Sequence, residues 1–291
     1  MSLPTRKIGT TPVSAIGYGG MGLSICYGVV PSDEERLAFL DSLYERGCTY
    51  WDTADVYGDN EDIIGKWFAR TGKRKEIFLS TKFGIGDRAR VPNGTPEYAV
   101  QQIANSLKRL QTDYIDLWYL HRPDPQVPIE KTIGAMAQFV KEGKVKYLGV
   151  SEVSAKSLRR AHAVHPISAV QLEYSPSEIG IESEEIGVLK VARELGIAVV
   201  AYSPLGRGLL AGQVRKHEDL AANDYRRAIP RFNPENFPNY LQLADALAEI
   251  GKAHDATASQ VALAWLLAQG DDIIPIPGTK KIKFFAPAAM V

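Results

Sequence analysis

Four side chains in the first half of the sequence have types and spacings that could do chemistry together. Asp52 follows the short apolar run 49–51, Lys82 closes the run 77–82, and His121 closes the run 114–121. Tyr57 follows Asp52 by five residues, within Asp55-Val56-Tyr57-Gly58-Asp59-Asn60. Each has an ordinary use when taken alone. An aspartate can cap the turn after a strand, a lysine can end a strand in solvent, a histidine can be hydrogen-bonded in a core, and Tyr57 can be a loop aromatic. Together they suit delivery of a proton to a carbonyl oxygen as hydride reaches its carbon. A free tyrosine, with a pKa of about 10, is a reluctant acid. A neighbouring ammonium lowers that value by favouring phenolate, and a carboxylate holds the ammonium in place. A histidine can then orient the carbonyl oxygen. Lys82 alone would also suit a Schiff base, which lysines form when desolvated, but Asp52 and Tyr57 beside it argue against that use.

The elements that must position these residues alternate regularly. β-rich runs occupy 15–18, 49–51, 77–82, 114–121, 145–151, 169–174, 198–203 and 273–277. Helical periodicity falls between them. The first helix opens at Pro31-Ser32-Asp33-Glu34-Glu35, with a cap residue and acids in its first turn. Others cover about 61–70, 95–110, 130–142, 155–163, 186–195, 240–253 and 258–267, with Gly47, Gly72, Gly143 and Gly196 just past helix ends. Strand–helix alternation implies parallel strands covered by helices. Eight such units within 291 residues, with no change of composition, predict one closed (β/α)8 TIM barrel spanning 1–291 rather than an open sheet. Residues 7–14 read as an additional N-terminal β-hairpin. In a parallel barrel the C-terminal strand ends share one rim. Asp52, Lys82, His121, Ser151, Gln171 and Tyr202 therefore converge on one mouth. Two long connections, 83–94 and 204–238, rise from the same face.

Composition narrows the partners. Lys+Arg and Asp+Glu each number 34, so there is no basic excess for nucleic acid or an anionic membrane surface. No run approaches the ~20 apolar residues of a membrane helix, and residues 1–9 carry no apolar signal-like core. A soluble, cytoplasmic protein is the expectation. The two cysteines, Cys26 and Cys48, read as reduced thiols, and no His/Cys spacing suggests a metal.

Tyr50-Trp51-Asp52-Thr53-Ala54-Asp55-Val56-Tyr57-Gly58 resembles the signature of the aldo-keto reductase superfamily. Thr81-Lys82-Phe83-Gly84, the stretch from Asp113 to His121-Arg122, Gly149-Val150-Ser151, Gln171-Leu172-Glu173-Tyr174-Ser175 and Ala201-Tyr202-Ser203-Pro204-Leu205-Gly206-Arg207-Gly208 resemble its later blocks, in order. The resemblance covers about residues 5–283. It implies an NADPH/NADP+-dependent oxidoreductase that reduces a small-molecule carbonyl without a metal, with Asp52, Tyr57, Lys82 and His121 as the catalytic tetrad. It further implies that Tyr202 stacks on the nicotinamide while Ser151, Glu152 and Gln171 hold its carboxamide. Gly20 and Met21 would line the cofactor, and Ser203, Leu205, Gly206, Arg207 and Gly208 would grip the pyrophosphate. Gly278, Thr279 and Lys280 resemble the site for the adenosine 2′-phosphate, where a cation selects the phosphorylated cofactor.

The sequence departs from the family pattern in two places. Glu152 stands where asparagine is common, as in a plant and fungal, perakine-reductase-like branch. After Lys281 the chain lacks the family's adenine-holding Glu-Asn pair and most of the eighth helix. That predicts a shortened or altered C-terminal end, with the apolar flank of the seventh, eighth and first barrel strands exposed. Tyr27, Phe83 and Trp118 are candidate pocket aromatics, although Trp118 is out of phase with inward-facing Tyr119 and His121. Arg226, Arg227 and Arg231 could form a solvated face or fold over the cofactor phosphates. Gly17-Tyr18-Gly19-Gly20-Met21-Gly22 matches a dinucleotide-binding pattern, but no helix is expected to open at Gly22. His162 and His165 lack a third ligand.

Overall fold

The computed structural model describes residues 4–86, 91–212 and 214–288. The centre of the expected 83–94 loop, the first three residues and the last three lie outside the described residues, as does position 213 of the 204–238 connection. The N-terminal hairpin pairs β1 (Thr5–Ile8) with β2 (Thr11–Ser14) in antiparallel register. It plugs the floor of the barrel. Ile8 and Val13 are buried against Tyr50, Phe78, Leu117, Ala169, Val200 and Ile274, which form the barrel interior.

Eight parallel strands follow: β3 (Tyr18–Gly19), β4 (Tyr50–Asp52), β5 (Phe78–Phe83), β6 (Ile115–Leu120), β7 (Val145–Ser151), β8 (Ile167–Glu173), β9 (Ala198–Tyr202) and β10 (Ile273–Pro275). They pair in sequence order from β3 to β10. The last strand returns to the first through Gly17 N–H to the Pro275 carbonyl and Gly19 N–H to the Pro277 carbonyl, both 3.0 Å. This seam is close. A Cβ on Gly19 would lie 2.7 Å from the Ile276 carbonyl oxygen, and one on Gly278 would lie 2.9 Å from that of Gly19. Glycines at these positions let the ring close, giving a (β/α)8 barrel.

The outer layer begins with α1 (Met21–Ser24), a single turn, and α2 (Asp33–Glu45). It continues with α3 (Asn60–Thr71), α4 (Pro96–Arg109), α5 (Ile129–Lys141), α6 (Ala155–Val164) and α7 (Val188–Glu194). After β9 come α8 (Phe237–Lys252) and α9 (Ala258–Ala268), and after β10 comes α10 (Ile282–Ala288). Local signals set several starts. Ser32 and Glu35 form a reciprocal capping box on α2, Thr95 caps α4 ahead of Pro96, and Thr257 with Gln260 caps α9. Strand residues facing outward, such as Trp51, Leu79, Trp118, Leu148, Val170 and Val199, pack with the inner helix faces into the main core.

The seven-residue α10 is the short eighth helix anticipated from the sequence, but the exposed apolar flank is not found. Ile273 and Ile274 are fully buried, Phe285 is 1% exposed, and α10 packs against both α2 and α9. The helical turn at α1 is too short to make the Gly17–Gly22 motif a phosphate-binding helix start. Cys48 is buried and Cys26 half-buried, with no disulfide among the described residues, and no helix among them is long and apolar enough to cross a membrane.

Candidate active site

The strand ends bring the four sequence-predicted residues together. Asp52 ends β4 and Lys82 is the inward-facing fifth residue of β5. Both are almost completely buried, and their charges meet in a direct ion pair between Nζ and Oδ1. Lys82 Nζ also donates to the Thr53 carbonyl at 2.8 Å. The other carboxylate oxygen of Asp52 accepts from Ser80 Oγ at 2.7 Å and from Gln171 Nε2 at 2.9 Å. Asp52 is therefore held on all sides and cannot turn away from the lysine. Tyr57 sits on the turn between β4 and α3, with its ring centroid 5.1 Å from Lys82 Nζ. His121, just past β6, meets that ring edge-on at 5.7 Å. Among the described residues, His121 Nδ1 has no hydrogen-bond partner.

Burial and charge set the protonation states. Burial pulls the Lys82 ammonium down, but Asp52 and then Tyr57 pull more strongly upward, so Lys82 stays cationic. Burial raises the Tyr57 phenol, Lys82 opposes it, and the net direction is upward from the ordinary tyrosine value. The sequence argument anticipated a lowered phenol. Lys82 does act in that direction, but desolvation outweighs it. Burial, with the charges of Lys82 and Arg122, drives His121 well below the usual histidine range, so its imidazole is neutral at neutral pH.

The remaining candidates line the same rim. Gly20 donates to the Asp52 carbonyl at 2.8 Å, and a Cβ there would meet Asn60 Oδ1 at 2.7 Å. Met21, half-exposed, opens the turn beside it. Ser151 accepts from Arg122 Nη1 at 3.2 Å. Glu152 has a left-handed backbone (φ 54°), and its carboxylate accepts the Glu173 N–H at 3.3 Å. Tyr202 ends β9, half-buried, with its phenol raised by burial and by Glu152 and Glu173. Of the three residues expected to face a carboxamide, Gln171 here turns its amide nitrogen to Asp52.

Beyond β9, Ser203, Gly206, Arg207 and Gly208 all have positive φ, with Leu205 between them. Runs of left-handed backbone of this kind form concave anion sites. Arg207 Nε is buried there without a hydrogen-bond partner among the described residues, which fits a diphosphate-bearing cofactor. Lys280 is turned inward. Its ammonium donates to the carbonyls of Val29, at 2.6 Å, and Tyr27. Thr279 gives its carbonyl to Tyr18 Oη at 3.0 Å.

Some expectations need correcting. Phe83 and Trp118 stack on each other 4.4 Å apart in the helix-facing core, away from the mouth. Phe83 follows inward-facing Lys82 by one residue, so strand alternation turns it outward. Tyr27 packs edge-on against Tyr225, and its hydroxyl accepts from Tyr225 Oη at 2.5 Å. The three loop arginines do not form a solvated face: each is half-buried and engaged within the protein, while Nη1 of Arg231 has no hydrogen-bond partner among the described residues. Arg226 binds Asp224 and the Arg207 carbonyl, Arg227 binds the carbonyls of His217 and Leu220, and Arg231 pairs with Glu173 at 2.8 Å. His162 Nδ1 accepts the Ile167 N–H. Sequence reasoning missed Ser80, although period-two alternation from Lys82 points it at Asp52. It also gave no role to Arg122, whose charge reaches Tyr57, His121 and Tyr202.

Known proteins resemble this chain in sequence and in fold. The aldo/keto reductase family matches residues 15–286. The aldo-keto reductase str7 of Strobilurus tenacellus is 58% identical over 98% of this chain and 85% of its own length. The aldo-keto reductase yakc [NADP(+)] of Schizosaccharomyces pombe is 50% identical with the same coverage. Probable aldo-keto reductase 1 of Glycine max is 44% identical over 95% of this chain and 81% of its own. Among solved structures, the glycerol dehydrogenase of Gluconobacter oxydans superposes with a TM-score of 0.88 at 26% identity, covering 99% of this chain and 90% of that one. A thermostable aldo-keto reductase bound to epalrestat gives 0.78 at 28%, covering 99% and 93%. With a closed barrel, one polar rim and a family match over nearly its whole length, this chain belongs to the aldo/keto reductase family.

Proposed function

We propose that the chain is an NADPH/NADP+-dependent reductase of aldehydes and ketones, acting reversibly as a single barrel unit, with Tyr57 as general acid. One observation carries the reading: Lys82, fully buried, is held between Asp52 and the Tyr57 ring. When bound, a nicotinamide cofactor would supply the hydride. The Tyr57 phenol keeps its proton at neutral pH and can give it to the carbonyl oxygen. The Lys82 cation stabilises the phenolate left behind, and Asp52 keeps Lys82 charged. His121, neutral, can donate an N–H to the same oxygen and hold it toward Tyr57. In the reverse direction the phenolate accepts the alcohol proton. Gly20, Met21, Ser151, Glu152, Gln171 and Tyr202 would hold the nicotinamide end. The turn from Ser203 to Gly208 would take the pyrophosphate, and Gly278, Thr279 and Lys280 the adenosine phosphate. For that, Lys280 must leave the carbonyls of Tyr27 and Val29.

The test combines turnover of 4-nitrobenzaldehyde with titration of tryptophan fluorescence by NADPH and NADH. The reading predicts NADPH-dependent turnover and tighter binding of NADPH. Turnover independent of nicotinamide, with borohydride trapping at Lys82, would overturn it in favour of Schiff-base chemistry. Cofactor binding without turnover would reduce the chain to a sensor.

A further inference from the structure

Behind the turn that carries Tyr57, on the helix side, lies a polar assembly that the proton-transfer chemistry does not use. Arg109 is the last residue of α4. Its Nη1 donates to the Asp55 carbonyl at 3.0 Å and its Nη2 to the Gly58 carbonyl. One guanidinium thus bridges both ends of the segment 55–58, with Tyr57 between them. Its Nε donates to Asp62 Oδ2 at 3.0 Å. Nη1 also lies 3.2 Å from Oε2 of Glu61, a fully buried carboxylate. The other oxygen of Glu61 accepts from Thr81 Oγ1 at 2.7 Å, and Thr81 immediately precedes Lys82. A continuous path therefore runs from the carbonyls flanking the phenol, through Arg109 and Glu61, to the strand that holds the ammonium. The helices come close enough for this because α3 carries glycine at position 65, where a Cβ would lie 2.2 Å from the Arg109 carbonyl oxygen.

We propose that Arg109, backed by Glu61, is a positioning residue that fixes the Tyr57 hydroxyl relative to Lys82. This rests on Tyr57 being the proton donor. A planar fork suits the task, since two parallel N–H donors fix a distance that a lysine's point charge cannot. The far side of the turn has independent anchors. Asn60 binds the Gly20 carbonyl at 3.0 Å and Ser24 Oγ at 3.2 Å, and Asp59 pairs with Arg36 at 2.7 Å. Loss of Arg109 should displace the turn without unfolding it. A cleft of about 430 Å³, lined by residues including Asp55, Glu61, Asp62, Asn105 and Arg109, opens beside the guanidinium. It leaves room for a small cation to replace it.

The experiment compares Arg109→Ala, Arg109→Lys and Tyr57→Phe with the parent, using 4-nitrobenzaldehyde and NADPH. Arg74→Ala serves as a control. Arg74 binds Asp116 and the Ile77 and Tyr114 carbonyls at the opposite end of the strands, so its loss tests general destabilisation. Arg109→Ala is expected to lower kcat by ~10–100-fold, the range for a misplacement of about 1 Å. KM and NADPH affinity should stay within about twofold, and the solvent deuterium isotope effect on kcat should rise. Methylguanidinium should restore part of kcat in Arg109→Ala but not in Arg74→Ala, and Arg109→Lys should remain impaired. Unchanged kcat in Arg109→Ala overturns the proposal. So does a parallel loss of kcat and cofactor affinity without rescue. If Arg109→Ala does not fold, Glu61→Gln carries the same test: lowered kcat with a raised solvent isotope effect supports the brace, and unchanged kcat overturns it. A Tyr57→Phe variant that keeps turnover sinks the donor assignment itself, whereas an inactive Tyr57→Phe beside a normal Arg109→Ala removes only the brace.

Discussion

Replacing Asp52 by asparagine isolates the electrostatic bond on which the site depends. The change keeps the size of the side chain but strips Lys82 of its counter-charge in a fully buried position. An isolated buried ammonium is costly, and removing one partner of a buried pair typically destabilises by ~3–5 kcal/mol. The lysine has an alternative, which is to release its proton. From an ordinary value of 10.5, holding lysine neutral at pH 7 costs about 3.5 units at ~1.4 kcal/mol each, or ~5 kcal/mol. That sets a ceiling on the charge-related loss. In the parent protein the folded lysine is raised, so its contribution is present below pH 10.5 and disappears only above the folded value. In Asp52→Asn the largest remaining influence is burial, which lowers Lys82. The unfolded state then binds more protons than the folded state below pH 10.5, and the variant gains stability as pH rises. The gap between the two proteins should therefore be ~3–5 kcal/mol at pH 7 and shrink toward ~2 kcal/mol by pH 9. Scanning calorimetry at the two pH values reads it directly, as a Tm deficit of very roughly 6–10 °C at pH 7 at ~2 °C per kcal/mol. A gap below ~1 kcal/mol, or one that fails to narrow at pH 9, would refute the reasoning.

Two further predictions follow from burial. His121, pushed well below the usual histidine range, should not titrate between pH 6 and 8. Its Hε1 proton chemical shift should stay flat over that interval, and a sigmoidal transition there would contradict a neutral imidazole. Phe285→Ala should cost ~3–5 kcal/mol, as for a large buried aromatic, because the ring is buried in the main core on a helix that packs against α2 and α9. Chemical denaturation measures this, and a loss under ~1 kcal/mol would mean that α10 does not cover the barrel flank.

Much of the site was legible because a parallel barrel turns linear order into geometry. Strand ends share a rim, so Asp52, Lys82, His121, Ser151 and Gln171 could be grouped without coordinates. The strand 145–151 was found at its observed bounds because an uninterrupted β-rich run lies between a helix-ending glycine and a helix cap. The strands at the seam were harder. The expected run 15–18 became a two-residue strand at Tyr18–Gly19: Ala15 donates to Pro4, and Gly17 keeps only the seam bond to Pro275. The run 273–277 ends at Pro275 because Pro275 and Pro277 bring no N–H to the ladder. Phe83 was misread by proximity to Lys82 rather than by alternation. The brace of Arg109 and Glu61 could not be read at all. Its partners are joined by the approach of α3 to α4 at Gly65, a contact with no local signature. The fates of Arg226, Arg227 and Arg231 depend likewise on how a 35-residue connection folds back on itself, with Glu173 and Asp224 as partners that spacing does not reveal.

The most direct test of the central claim is single-turnover hydride transfer in Tyr57→Phe, followed by nicotinamide absorbance with cofactor and 4-nitrobenzaldehyde both saturating. Removal of the phenolic proton should slow the step by ~10²–10⁴-fold, the usual worth of a general acid, while NADPH affinity stays close to that of the parent. A transfer rate within a few-fold of the parent would contradict the assignment of Tyr57 as the acid.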